Sequence, residues 1–98
     1  MLQLFGLSLP SAQPVGRDEA QLLAERIGAA AASVEQSKRA AVAAAVRRDA
    51  QQYLDARRAG QLRFAPGAGR ACDAGAWALM RLTVDAPAVL PAPTLLVA

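Results

Sequence analysis

Residues 17–60 read RDEAQLLAERIGAAAASVEQSKRAAVAAAVRRDAQQYLDARRAG, and between Arg17 and Ala59 there is no proline and one glycine, Gly28. Asp18 and Glu19 open the stretch, and Arg57, Arg58 and Gly60 close it. Acids in a first turn, bases in a last turn and a terminal glycine suit the opposite partial charges at the two ends of a helix. The stretch predicts one helix over about 17–59, roughly 63 Å long at 1.5 Å per residue. Its weak point is Gly28–Ser33, where Ser33 with Gln36 resembles a capping box that could restart the helix.

Eight of those 43 residues are large and apolar, against fourteen alanines. At about 100° per residue, Leu23, Ile27, Val34, Val42, Val46 and Tyr53 fall within about 140° of arc. They form an amphipathic stripe, and alanines beside it, Ala41 and Ala45 among them, let another helix approach closely. Either the stripe packs on the chain's own arms, or it pairs with another molecule. A long, lean stripe favours the second. Lys38 lies in the stripe and Asp49 lies about 20° from it. In an antiparallel pair whose two-fold axis passes between Ala43 and Ala44, Lys38 faces Asp49 of the second helix, Val42 faces Ala45, Ala41 faces Val46 and Val34 faces Tyr53. The charges would then select the register more than they add stability.

Outward from this helix, residues 1–16 are apolar but punctuated by Gly6, Pro10, Pro14 and Gly16, and read as an extended arm. Residues 61–98 form a third segment. It has a turn-rich Pro66–Gly69, a short helix over about 74–83 capped by Asp73, and a Pro-rich extended tail from Val84. Phe64, Trp77, Leu79, Met80 and Leu82 are the candidate small cluster or docking plug. The fold class expected is all-α.

The 98 residues are enough for one small domain, and 25 are alanine, so an independent core would be marginal. Eleven basic and eight acidic residues give +3, concentrated in residues 36–70. Arg39, Arg47, Arg57 and Arg58 cluster within about 100° of arc. That arc is either a solvated face, the preferred reading, or a stripe of phosphate contacts. With no asparagine in the chain and Tyr53 on the apolar side, any nucleic-acid binding would be nonspecific.

Catalytic chemistry is thin. Histidine is absent, which removes the usual general base and most zinc sites. Ser37 and Lys38 are adjacent, about 100° apart on a helix, a poor geometry for proton transfer. Asp18 and Glu19 read as dipole partners rather than a cation site, and neither a P-loop nor a dinucleotide fingerprint fits Gly67–Gly75. No cofactor, metal or small-molecule substrate is expected. The lone Cys72 is either reactive beside Arg70 or, preferably, a small buried residue next to Trp77.

No signal peptide and no transmembrane span are recognisable, so the expectation is a soluble protein, cytoplasmic or held within an assembly. Membrane attachment through Leu2, Leu4, Phe5 and Leu7 ranks last, for want of an adjacent basic cluster. In layout, an Ala/Arg-rich helix followed by a loop with one cysteine resembles small helical proteins of bacteriophages, including virion accessories and the periplasmic part of spanins, although spanins carry an N-terminal membrane helix. The expected function is a non-enzymatic structural or accessory protein that assembles with itself, coiled-coil fashion, or with a larger partner. The alternative is a small nonspecific nucleic-acid binder using the arginine stripe.

Overall fold

The computed structural model describes residues 2–10 and 12–85, with residues 83–85 as backbone alone. The chain is mostly helical: β1 (Leu2–Leu4) and β2 (Leu7–Leu9) are followed by α1 (Arg17–Gln36), α2 (Ala40–Arg58) and α3 (Arg70–Asp85).

The expected single rod is two helices. The break lies at residues 37–39, beyond the Gly28–Ser33 segment, and Gly28 sits inside α1. Ser37 and Arg39 both adopt extended backbone, at ψ 141° and 124°. The Ser37 hydroxyl accepts the Arg39 N–H at 3.1 Å, a local bond that competes with helical pairing. Capping-box spacing at Ser33 was the wrong signal, because the gain comes from what the bend brings together. Val34 of α1 is buried with Ala43 of α2, and Val42, Val46 and Leu82 pack around them.

At its other end α2 stops as its glycine suggests. Gly60 takes φ 76°, its N–H reaches the Arg57 carbonyl at 3.2 Å, and the Gln61 N–H reaches the Ala56 carbonyl at 2.9 Å. That is the paired 5→2 and 6→1 pattern of a Schellman cap.

The extended arm expected at the N-terminus folds back on itself as a hairpin. Leu2 pairs with Leu9 and Leu4 with Leu7, around a two-residue turn in which Phe5 and Gly6 have φ 52° and 81°. Positive φ at both central positions is the type I′ geometry that matches strand twist. Alternation in Leu-Gln-Leu and Leu-Ser-Leu puts the four leucines on one face, and Leu4 and Leu9 are buried. After it, Val15 exchanges backbone bonds with Arg63 and Ala65 at 2.8 and 2.9 Å, tying the two ends of the helical pair together.

α3 starts at Arg70, four residues before the expected start, so Asp73 is in its first turn and does not cap it. The helix packs on both α1 and α2, which touch each other much less. Where it meets α1, small groups of α3 make the contact. The Cys72 thiol donates to the Ala20 carbonyl at 3.1 Å, and a Cβ on Gly75 would lie 2.8 Å from Ile27 Cγ2. Close approach of α1 and α3 therefore depends on a missing side chain. Gly75→Ala should gain about 1 kcal/mol of helix propensity. It should lose more to overpacking, because β-branched Ile27 has one favoured rotamer in a helix. The net expectation is about 1–2 kcal/mol of destabilisation in urea unfolding. In a double-mutant cycle with Ile27→Ala, the cost at position 75 should disappear.

The main core so formed has Leu4, Leu23, Ile27, Tyr53, Leu62 and Leu79 almost fully buried, and Val34 with Ala43 makes a smaller cluster near the link between α1 and α2. Leu23, Ile27, Val34 and Tyr53, expected to face a second helix, are thus covered within the chain. Of the rest of that stripe, Lys38 and Ala41 are exposed, whereas Val42, Ala45, Val46 and Asp49 are half-buried. Of the Pro-rich extended tail expected from Val84, Val84 and Asp85 instead continue α3, and the remaining positions lie outside the described residues.

Candidate functional site

Two features stand out on α3: a polar cluster on the side that meets α2, and the face turned to solvent. In the cluster, the Asp73 carboxylate takes the Arg57 Nε–H on Oδ1 at 3.0 Å and an Nη2–H on Oδ2 at 3.1 Å. The buried Tyr53 hydroxyl donates to Oδ1 at 2.5 Å. The third Arg57 nitrogen, Nη1, donates to the Leu62 carbonyl at 3.4 Å, and the guanidinium carbon sits 4.9 Å from the centre of the Phe64 ring. Phe64 in turn packs on Tyr53 at 6.3 Å between ring centres, tilted by 49°.

Each group alters the others' protonation. Burial and then the bond to Asp73 push the Tyr53 phenol above its ordinary range, so it stays neutral and donates. The Asp73 hydrogen bond holds the Arg57 guanidinium more firmly protonated, against the opposing effect of burial. For Asp73, burial favours the neutral acid, but the bonds from Arg57 and Tyr53 outweigh it and lower the pKa below 3.8. A carboxylate whose oxygens already receive three hydrogen bonds is a clamp between α2 and α3, not a poised base.

This placement sets Arg57 apart from the other arginines of the arc, which is expected to be a solvated face first and phosphate contacts second. The Arg57 fork is taken by Asp73, so it is not available to phosphate. Arg39, Arg47 and Arg58 remain exposed, Arg58 with a loose 3.5 Å pair to Asp55. The clamp was partly legible, since Tyr53 and Arg57 are one turn apart and only about 40° apart around the axis. Asp73 was the missing partner, sixteen residues on in sequence. Cys72 is fully buried, as preferred from sequence, but against Ala20 of α1 rather than next to Trp77, and burial pushes its thiol up to about 11, so it is protonated at neutral pH.

The expected C-terminal cluster is divided by the structure. Leu79 is fully buried, and Phe64, Met80 and Leu82 are half-buried against the core. Trp77 is not part of the core and is 57 % exposed. Seen down the axis, Trp77, Arg70, Arg81 and Ala74 lie within about 60° of arc, with Ala78 beside them. Cys72, Ala76 and Leu79 occupy the opposite side and are buried. Arg70 and Arg81 are exposed and form no ion pair among the described residues. Trp77 therefore stands between a face of arginine and alanine and, about 40° to the other side, Asp73 of the polar cluster.

Elsewhere, an open groove between β1 and the C-terminal half of α2 is lined by Leu2, Gln3, Gln52, Asp55, Ala59 and Gln61. Its carboxylate, Asp55, is engaged by Gln51 and Arg58. Among the described residues no group of three or more acidic or cysteine side chains could hold a metal ion, and no helix is long and apolar enough to cross a membrane. Comparison with protein families, with curated proteins and with solved structures finds nothing that matches this chain.

Proposed function

We propose that the protein is a non-enzymatic interaction module, a small helical domain that closes its own core and offers the outer face of α3 to a partner. One observation carries this reading: the only tryptophan of the chain is left 57 % exposed. Aromatic side chains dominate core and interface energetics and bury 150–250 Å² each when covered. A domain lean in large apolar groups that leaves its largest one outside is consistent with a contact surface rather than a packing surface.

The chemistry of the rest supports the same reading. Asp73 and Tyr53 are committed to the clamp, and no histidine is available as a proton carrier. The assembly role expected from sequence is thereby moved from the stripe of α1 and α2 to α3.

Site-specific photocrosslinking tests it. With a photoreactive residue at position 77, illumination in an extract of the native cells should give discrete adducts. The same residue at Leu22, the other exposed large apolar position at 43 %, should give none. An equal smear from both positions, or nothing from either, overturns the reading.

A further inference from the structure

We infer that the α3 face binds single-stranded nucleic acid, with the Trp77 ring stacking on a base and Arg70 and Arg81 holding the neighbouring phosphates. This names the occupant of the face proposed above and rests on that reading. Arg70 and Arg81 stand about 10 Å and about 6 Å along the axis from Trp77, one on each side. Both are exposed and form no ion pair among the described residues. Two acids flank the arc, Asp73 about 40° from Trp77 with its oxygens taken by Arg57 and Tyr53, and Asp85 about 40° from Arg81 at the end of α3. Ala74 and Ala78 between them are too small to cover an indole.

The surroundings discriminate between occupants. Protein hot spots are ringed by groups that exclude water. Here the rim is arginine, alanine and the Asp73 carboxylate held by Arg57 and Tyr53, and Leu22 lies about 200° around α1 from Ala20, the residue whose carbonyl meets α3. A second copy of the chain would oppose two like-charged faces, which is unfavourable. An acidic peptide would satisfy the arginines but give the ring nothing to stack on. A base with its flanking phosphates uses all three side chains, since every base has a π face and guanidinium forks match phosphate oxygens. With no asparagine or glutamine on the arc, the binding carries no base preference.

The test titrates the full chain with a fluorescein-labelled oligo(dT) at low salt, following both anisotropy and tryptophan emission. Free protein should emit as an exposed indole, and binding should quench it. Trp77→Ala should weaken binding about tenfold or more, Trp77→Phe much less, with helix content unchanged by circular dichroism. Two phosphate contacts on a single strand predict a slope of about −1.4 in log K against log salt, falling to about −0.7 in Arg70→Ala or Arg81→Ala. Three results would overturn the inference: binding indifferent to Trp77→Ala, equal competition by polyglutamate, or a blue-shifted free protein whose indole is already covered. Protein adducts at position 77 without oligo(dT) binding reject the nucleic acid and keep the face. Neither adducts nor binding rejects both.

Discussion

Leu23→Asp should unfold the protein rather than dissociate an assembly. Leu23 has no exposed surface, and the core around it contains Ile27, Tyr53 and Leu79. A carboxylate there finds no partner, and burying an unpaired polar or charged group costs about 4 kcal/mol or more. A small domain holds only about 5–15 kcal/mol in total. Circular dichroism should show most of the helix lost at neutral pH, at every protein concentration. If instead α1 and α2 were one rod paired with a second rod, the same change would lower the mass in sedimentation while leaving the helix largely intact. The matched control is Lys38→Asp. Under the paired-rod register it would set two acids against each other, whereas in the exposed link between α1 and α2 it should change stability by no more than about 0.5 kcal/mol.

The second large effect is at Asp73. Asp73→Ala removes the acceptor for Arg57 and Tyr53 together and strands a buried phenol hydroxyl. Hydrogen bonds to charged groups contribute about 1.5–3 kcal/mol each. The pair is about one-third exposed on each side, so solvent screening reduces the sum. The expected loss is about 2–3 kcal/mol in urea unfolding. The pH dependence has a definite sign. The folded-state pKa of Asp73 lies below its ordinary 3.8, so its contribution is complete above that value and is lost as the pH falls through the lower, folded-state pKa. Wild-type protein should therefore lose stability on acidification below about pH 4, and Asp73→Asn should flatten that part of the profile. A mutant profile as steep as that of the wild type would assign the acid sensitivity to other carboxylates.

Much of the helical content was legible in residues 17–60. The start of α1 at Arg17 and the stop of α2 at Gly60 follow from dipole charges and one positive φ, which are local properties. Residues near the break were less informative. The Ser37 side-chain bond is local, but its effect is small beside the burial of Val34 against Ala43, a contact between positions on two elements whose angle the sequence does not reveal. The hairpin had a local signature as well, in its alternating leucines around Phe5-Gly6, but punctuation by glycine and proline pointed to an arm.

Periodicity, composition and end charges by themselves determined that this chain is mainly helical, that one face of residues 17–59 is apolar, and that the usual histidine-based chemistry is missing. They could not say what covers the apolar face, because burial depends on which surfaces meet in space and not on the order of side chains along one helix. Tertiary structure alone decided that α3 and the hairpin cover it, that Arg57 belongs to Asp73, and that Trp77 stays outside.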